Sequence, residues 1–458
     1  MKEMSDCLRR FKASFLGAML LCVVFMFFMI YETNRNFSSK VFLPKFLHDK
    51  IYLKKSTDSP TANTRGSPYT TTSPMEEFTD SPVYNTLSIF SLSTIGLIQS
   101  NSITRSDIKI TGWVTELHRE TSIKCCTLLY NGDLFTHYSP DRMNERVIRG
   151  ISGTQISCPV NSSMNNVKGI AIQFSDQDCP QNGQLYVKPY VLKPPEKKDS
   201  FGICLKLLYG QNINIVNLKT WIEYYIELGV DKVFMYTYDI SKTTKDVLNY
   251  YGKKGFLERR PFDIPFNQTF IVGRKTSIYF QMERVIVYDC YQRFTGYKYF
   301  AVVDLDEFIV PRKHNNIKQM MEYLMNAHPK AAGYTLKPYL FIKEKSLALN
   351  STEDVSDIAQ YVYRSPVVTG PHTRQKNILI HGRIKLKSLT THAYKPDLNY
   401  ERYVVSTTVA SLNHYRHKCY GNLRTICSMK LTKDTFIFKF LNRFHNRLTN
   451  TSMDSNTN

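Results

Sequence analysis

The sequence predicts an α/β fold with a doubly wound sheet in the C-terminal half of the chain. Extended apolar runs alternate there with segments of helical periodicity. Strands are predicted at 201–208, 230–238, 256–262 and 299–303, and helices at 218–228, 243–251 and 277–294. The run at 299–303 is apolar throughout, which is typical of a parallel strand covered on both faces. Three or more such strand–helix units favour a doubly wound α/β sheet.

An N-terminal transmembrane helix is predicted at 13–31. These 19 residues carry no charge, and their length matches a hydrocarbon core of roughly 30 Å. A cleaved signal peptide is the less favoured alternative, because bulky rather than small residues precede Glu32. Basic residues in segment 1–12 predict a cytosolic tail and a lumenal body. The expected location is the Golgi or the endoplasmic reticulum, with a single-pass type II topology.

The remaining boundaries follow composition and strand pattern. Between residues 56 and 82, 16 of 27 residues are Ser, Thr or Pro, a composition that does not fold, so 32–100 is predicted to be a stem. Short alternating runs predict a small β-rich module at 101–195. The α/β domain is placed at 200–445, and a disordered tail at 446–458.

Several features agree with a lumenal body. Eight cysteines follow residue 100, an even set that permits disulfides, and four of them lie in the β-rich module. A net charge of +21 would ordinarily suggest nucleic acid as a partner, but the predicted topology argues against it, and none is expected. N-glycosylation is predicted at the sequons of Asn161, Asn267, Asn350 and Asn450.

The motif Asp304-Leu305-Asp306 follows the apolar run at 299–303. If the backbone stays extended, both carboxylates lie on one face while Leu305 turns to the core. Two close carboxylates repel each other unless a cation lies beside them, and Mg²⁺ or Mn²⁺ would also bridge to a diphosphate. Because the triplet is common by chance, its position at a strand end is what favours a metal site.

Other polar residues follow strand ends at the same predicted crevice. Tyr209 ends the first strand and Asp239 the second, so both are candidates to bind a nucleotide base or ribose. Capping of the next helix is the equal alternative for Asp239. Asp289 and Arg293 are four residues apart on a predicted helix, which usually means a surface ion pair.

The stretch 201–418 resembles glycosyltransferase family 92. The matching residues are 203–210, 221–230, Gln281, Asp289-Cys290, 301–308, Pro311 and 412–416. The resemblance implies a GT-A-type doubly wound mixed sheet and an inverting transfer. It also implies galactose from UDP-galactose as the transferred sugar, a glycan acceptor such as core fucose, and Mn²⁺ bound through Asp306 with Asp304 nearby. Acceptor specificity is expected in 343–371, where the similarity is loose.

Enzymes of the GT-A fold commonly add a histidine to the metal site, and His392 and His414 are the candidates here. For each, a structural hydrogen-bonding role is the alternative. Arg416 is a candidate to neutralise the diphosphate. The alternative for Arg416 is a solvated charge on the surface. The general base stays unassigned, because the acidic cluster of Glu353, Asp354 and Asp357 before a predicted strand at 358–363 is better explained as a solvated loop.

The sequence therefore predicts a metal-dependent glycosyltransferase that uses a UDP-sugar donor. Two alternatives remain. An inactive family member acting as a glycan-binding or scaffold protein would keep the fold and the anchor. A lumenal metal-dependent hydrolase or phosphodiesterase would need more His and Asp ligands, converging on paired metals, than these motifs supply.

Overall fold

The computed structural model describes residues 89–98, 106–115, 120–138, 140–144, 151–192, 195–262, 275–345, 355–370, 373–419 and 421–450. The predicted cytosolic tail, the predicted anchor and most of the predicted stem lie outside these ranges, as do Asn267 and Asn350. Within them, no helix is both long enough and apolar enough to cross a membrane.

The N-terminal part of the described chain consists of strands in two sheets. The five-stranded sheet has the order β5-β6-β2-β1-β8 and the three-stranded sheet the order β4-β3-β7. The strands are β1 (Ile89–Ile98), β2 (Ser106–Thr115), β3 (Ile123–Leu129), β4 (Leu134–Tyr138), β5 (Asp141–Asn144), β6 (Ile151–Val160), β7 (Val167–Phe174) and β8 (Tyr190–Val191). Strand β1 pairs along its length with β2, so the folded module begins inside the segment predicted to be stem.

Two disulfides join the elements of this module. Cys125 on β3 pairs with Cys158 on β6, which links the two sheets. The neighbouring Cys126 pairs with Cys179 in the chain after β7. Consecutive residues of a strand point to opposite faces, so the adjacent cysteines of β3 serve one link on each face. All four cysteines of the module are therefore paired, as their even number permitted.

The α/β domain begins with the predicted alternation of strands and helices. Strands β9, β10 and β11 pair in parallel, and β12 pairs in parallel with β9 on its other side. The elements are β9 (Phe201–Tyr209), α1 (Ile215–Glu227), β10 (Lys232–Tyr238), α2 (Lys242–Lys253), β11 (Leu257–Pro261), α3 (Lys275–Arg293) and β12 (Tyr299–Val302).

Both faces of this sheet are covered. Ile203 and Leu205 of β9 pack into one core with helices α1 and α2, whereas Cys204 between them faces a second core with α3. Cys204 also forms a disulfide with Cys290 of α3. The alternation has a period of two, as expected for a strand buried on both sides. The predicted α/β class is confirmed.

The C-terminal half adds mixed pairing. The seven-stranded sheet has the order β11-β10-β9-β12-β17-β14-β18, and a separate five-stranded sheet the order β13-β19-β15-β16-β20. The strands of the C-terminal half are β13 (Glu307–Pro311), β14 (Ala331–Leu336), β15 (Pro338–Ile342), β16 (Tyr363–Arg364), β17 (Lys376–Ile380), β18 (Glu401–Val404), β19 (Ala410–Arg416) and β20 (Thr432–Lys433). The helices are α4 (Ile317–Ala327), α5 (Asp357–Gln360), α6 (Arg424–Ser428) and α7 (Phe438–Asn450).

Two boundaries in this half differ from the sequence predictions. The strand predicted at 358–363 is wrong, because helix α5 covers its first residues. Asn217 of α1 accepts a hydrogen bond from the Asp357 backbone N–H at 2.8 Å, and this partner satisfies a helix N-terminal donor that sequence periodicity does not reveal. Helix α7 continues to Asn450, so regular structure extends into the segment 446–458 that the sequence predicts to be a disordered tail.

The β-rich module packs directly on helix α3 and its surroundings. Trp113 of β2 is 4% exposed and belongs to the core that contains α3, with its ring 5.7 Å from that of Phe262 in an edge-to-face arrangement. Gln292 of α3 donates a hydrogen bond of 3.0 Å to Gln155 of β6, and both side chains are buried. The module and the α/β domain therefore share one of their cores.

Replacing this shared tryptophan tests how far the two parts depend on each other. We expect Trp113→Ala to lower the free energy of unfolding by about 3–5 kcal/mol, because it leaves a cavity in a common core. Urea denaturation followed by circular dichroism measures the change. Tyr130→Ala is the control: this aromatic of the same module is 58% exposed, and its loss should cost less than about 0.5 kcal/mol. Equal effects of the two substitutions would contradict the shared core.

Candidate active site

The segment after β12 reverses direction instead of remaining extended. The Glu307 backbone N–H donates to the Asp304 carbonyl oxygen at 3.1 Å, which closes a tight turn over residues 304–307. The expectation that Asp304 and Asp306 follow an extended backbone is therefore wrong. Leu305 packs against the core as predicted. The motif thus links the seven-stranded sheet to β13 in the five-stranded sheet.

Aromatic side chains of α1 donate hydrogen bonds to this turn. The indole N–H of Trp221 donates to the carbonyl oxygens of Asp304, at 3.1 Å, and Glu307, at 3.2 Å. The hydroxyl of Tyr225 donates to the same Glu307 carbonyl at 3.1 Å. Trp221 and Tyr225 are fully buried, and their ring centroids lie 4.7 Å apart. Because these donors have no access to water, the turn carbonyls are their required partners.

Asp304 is neutralised by two lysines. Its Oδ2 lies 2.8 Å from Nζ of Lys376, and its Oδ1 lies 3.0 Å from Nζ of Lys206. Burial by itself would raise the pKa of Asp304, but the two ammonium groups hold that pKa well below its usual range. Both carboxylate oxygens of Asp304 are thus occupied by cationic groups of the chain itself.

Lys376 also neutralises a second buried carboxylate. Its Nζ lies 3.0 Å from Oε2 of Glu307, and both side chains are inaccessible to solvent. Burial would lower the pKa of Lys376, but Asp304 and Glu307 raise it above its usual value. Burial raises the pKa of Glu307, and the charge of Lys376 only partly offsets that rise. A single ammonium group therefore stabilises two carboxylates inside the fold.

Asp306 faces His414. The Asp306 side chain is 46% exposed, and its Oδ2 lies 3.3 Å from Nε2 of His414. The other ring nitrogen, Nδ1, lies 3.5 Å from Oε1 of Glu307. Pairing of β13 with β19 sets Glu307 opposite His414, and the Tyr415 N–H donates to the Asp306 carbonyl at 2.8 Å. Burial would lower the pKa of His414, but Asp306 and Glu307 raise it.

Among the described residues, no group of three or more His, Cys, Asp or Glu side chains is arranged to hold a metal ion. His392, the other predicted ligand, lies beside Gln375, with Nδ1 3.0 Å from its carbonyl oxygen. Burial and the charge of Lys376 lower the pKa of His392 to about 4. The described contacts join His392 to neither Asp306 nor His414. The structure thus brings together one carboxylate and one imidazole of the predicted set.

The nucleotide-binding candidates lie at different places. Tyr209 ends β9, is 50% exposed and lines a cavity with Asp304 and Asp306. Asp239 instead contacts Gln211, and Ser241 rather than Asp239 caps helix α2 by accepting from the Thr244 N–H at 3.2 Å. Capping by Asp239 is therefore wrong. Arg416 ends β19, two residues after His414, and its charge lowers the pKa of that histidine.

The cavity beside the Asp304–Glu307 turn has a volume of about 470 Å³, which is within the range of small-molecule sites. Its walls come from the end of β9, helix α1, the turn itself and the start of α5. Polar lining residues include Tyr209, Asn214, Asn217, Thr220, Asp304, Asp306, Lys343 and Asp357.

Sequence reasoning missed the cationic half of this site. Lys206 interrupts the apolar run of β9, and a lone lysine inside a buried strand is a usable signal for an internal ion pair. Lys376 has no comparable signal. Asp289 and Arg293 were predicted to form a surface pair, which is wrong. Both are buried, their side chains lie 2.7 Å apart, and Tyr236 donates a hydrogen bond of 2.7 Å to Asp289.

The glycosylation candidates are only partly described. Asn161 is exposed and immediately follows β6. Asn450 is the last residue of α7.

Comparisons with known proteins agree with the resemblance seen in the sequence. The family model for glycosyltransferase family 92 matches residues 199–457. A curated relative from Caenorhabditis elegans, "Beta-1,4-galactosyltransferase galt-1", is 27% identical over 124 residues, which cover 26% of this chain and 28% of the relative. The match therefore spans less than a third of that relative's length.

Solved structures give weaker likenesses. S. aureus TarS 1-349 in complex with UDP-GlcNAc has a TM-score of 0.26 and 12% identity, covering 56% of this chain and 68% of that one. A putative glucose-1-phosphate thymidylyltransferase from Bacillus anthracis has a TM-score of 0.23 and 13% identity, covering 57% of this chain and 98% of that one. At these scores the likeness carries no argument about function.

The shared lysine provides a test of the site's architecture. Lys376→Met leaves Glu307 without its ammonium partner and Asp304 with only Lys206. We expect a loss of about 3–5 kcal/mol in the free energy of unfolding, because breaking a buried ion pair strands a buried charge. Urea denaturation of the purified chain measures it.

Lys298→Met is the matched control for this change. Lys298 pairs with Asp199 at the surface, where the two side chains are 38% and 69% exposed, so its removal should cost less than about 1 kcal/mol. If the Lys376 and Lys298 variants unfolded at the same urea concentration, the buried bridge would not stabilise the fold.

Proposed function

Because the chain belongs to glycosyltransferase family 92, we propose that it transfers galactose from UDP-galactose to a glycan acceptor with inversion at the anomeric carbon. The observation that carries the proposal is the pairing of exposed Asp306 with buried His414 beside a cavity of about 470 Å³. The galactose donor is supported by the family resemblance and by the name of the C. elegans relative. A fucose of an N-glycan core is the proposed acceptor.

We assign the fold to the GT-A type. Parallel strands β10, β9 and β12 end at the crevice where the Asp304–Glu307 turn lies, and β17 continues the sheet in the antiparallel sense. Ligands of open α/β sheets bind beyond the carboxyl ends of the strands. The proposed position of the nucleotide sugar is therefore between Tyr209, at the end of β9, and the turn.

The residues present fit a divalent cation, for which Mn²⁺ is the proposed ion. Asp306 offers a carboxylate oxygen and His414 an imidazole nitrogen, a donor set that suits first-row metals. The other nitrogen of His414 faces the carboxylate of Glu307 at 3.5 Å. When bound, the ion supplies positive charge to the departing diphosphate.

Asp304 and His392 are left outside the proposed coordination. Both oxygens of Asp304 already contact lysines, and Nδ1 of His392 lies next to the Gln375 carbonyl. We propose that Asp304 has a structural role, in which it pairs with Lys206 and Lys376 beneath the crevice. Arg416 is the further candidate to contact the diphosphate, because its charge already acts on His414.

The cellular setting completes the proposal. A single N-terminal helix at 13–31 anchors the chain in a membrane of the Golgi or the endoplasmic reticulum, with the α/β domain in the lumen. Glycans of glycoproteins are the accessible acceptors there, and nucleic acid is not.

Turnover and ion binding of the full chain test the assignment. With UDP-galactose and a fucosylated N-glycan, Asp306→Asn should lower kcat by about 100-fold or more, because one of two protein ligands is lost. Calorimetric titration with Mn²⁺ and UDP should show weaker ion binding in the same variant. Asp199→Asn, a surface carboxylate 69% exposed, is the control.

Three outcomes separate the alternatives. Full activity of Asp306→Asn or indifference to a chelator would exclude the proposed metal site. Glycan binding without UDP binding by the unaltered chain would favour an inactive, glycan-binding member of the family. Release of free galactose without any acceptor would favour a hydrolase.

A further inference from the structure

Three carboxylates line the cavity among the residues that the structure describes: Asp304, Asp306 and Asp357. They differ in what they contact. Both oxygens of Asp304 contact lysines, and Asp306 contacts His414. Asp357 forms an ion pair with Lys343 through Oδ2 only. Its Oδ1 has no hydrogen-bond partner in the described part of the chain.

Helix α1 fixes the spacing between Asp357 and the turn. Asn217 accepts the Asp357 backbone N–H at 2.8 Å, and Trp221, four residues later, donates to the Asp304 carbonyl at 3.1 Å. Residues four apart share one face of a helix and are separated by about 6 Å along its axis. Asp357 and the Asp304–Glu307 turn are therefore attached to the same helix at points about one helical turn apart.

A buried hydroxyl lies on the same stretch of helix. Thr220 is inaccessible to solvent and lines the cavity, and its Oγ1 has no hydrogen-bond partner among the residues that the structure describes. Buried polar atoms of this kind are rare in folded proteins unless a ligand or water satisfies them. The wall between the two attachment points thus carries an unpaired group suited to a hydroxyl-rich ligand such as a sugar.

The geometry points to Asp357 as the general base that takes the proton from the acceptor hydroxyl. This inference rests on the proposed transferase function and names the residue that function still lacks. An inverting transfer places the acceptor on the side of the sugar away from the diphosphate. The base must therefore be displaced from Asp306 by the thickness of a sugar ring, which a spacing of one helical turn allows.

The proposed step forms one bond and breaks another at the anomeric carbon. The acceptor hydroxyl oxygen forms a bond to the anomeric carbon, and the bond from that carbon to the diphosphate oxygen breaks, with its electron pair leaving on UDP. The hydroxyl proton passes to Oδ1 of Asp357, which becomes a carboxylic acid and later releases the proton to solvent. Lys343, held on Oδ2, keeps the carboxylate in position throughout.

A purely structural role for Asp357 is the competing explanation, because the residue also begins helix α5 and orients Lys343. The two roles predict different kinetics. Loss of a base lowers kcat and leaves donor binding intact, whereas loss of local structure weakens donor binding and lowers the thermal unfolding temperature.

The test is Asp357→Asn in the full chain, with kcat, the KM of each substrate, and UDP binding by calorimetry in the presence of Mn²⁺. We expect kcat to fall by about 10²–10⁴-fold, the usual contribution of a general base. UDP affinity should remain within about threefold of the unaltered chain, because removing a base takes away no ground-state contact with the nucleotide. Asp199→Asn, which removes a carboxylate from a lysine pair outside the cavity, should leave kcat unchanged.

Several results would overturn the assignment. A kcat of Asp357→Asn within about threefold of the unaltered chain would exclude a base at this position, since the base contributes more than that. Parallel loss of UDP binding and kcat would assign Asp357 to structure. If the Asn variant fails to fold, Asp357→Ser removes the carboxylate with a smaller side chain, and a kcat within about threefold of the unaltered chain in that variant would equally exclude the role. An unaltered chain that transfers no sugar overturns the proposed function together with this inference, whereas an active chain with an active Asn variant overturns this inference alone.

Discussion

The buried ammonium group of Lys376 is the constraint around which the site is organised. It lies between Asp304 and Glu307 with no access to solvent, and Lys206 completes the neutralisation of Asp304. Removing the carboxylate of Glu307 from water costs several kcal/mol unless a partner of opposite charge is held at contact distance. Because β17 carries Lys376 and the turn carries both acids, the pairing fixes the turn to the central sheet. The acidic motif can then lie at the edge of the cavity without an external cation to hold it there.

This neutralisation divides the roles of the acidic groups. Both oxygens of Asp304 and Oε2 of Glu307 are paired internally, whereas Asp306 is half exposed and faces a single imidazole. The turn therefore offers one free carboxylate to a ligand rather than two. Glu307 has a further effect, because its Oε1 lies 3.5 Å from Nδ1 of His414 and its charge raises the pKa of that histidine. A motif of three residues thus depends on four side chains from β9, β13, β17 and β19.

Much of the fold could be predicted because burial on both faces leaves a periodic signal. The predicted strands at 201–208 and 299–303 correspond to β9 and β12. The helices predicted between them correspond to α1, α2 and α3, and the family resemblance covers the same stretch. The site was less predictable, since its partners meet through long-range pairing. The strand order brings Lys376 to the site, and Asp357 is held there because its backbone N–H donates a hydrogen bond to Asn217, 140 positions away. The predicted strand at 358–363 and the predicted surface position of Arg293 failed for the same reason: the decisive partner lies on a distant element.

Helix α1 shows how the core and the site depend on each other. Its inner face buries Trp221, Tyr224 and Tyr225, whose polar atoms all bond to backbone of the turn and β13. The hydrophobic effect therefore holds the helix against the core, while the hydrogen bonds from these three side chains set its register against the acidic turn. One turn earlier the same helix presents Asn217 and Thr220 to the cavity. Any shift of α1 along its axis would move the Asp357 attachment and the turn carbonyls together, so the spacing across the cavity is set by core packing rather than by the loops at its rim.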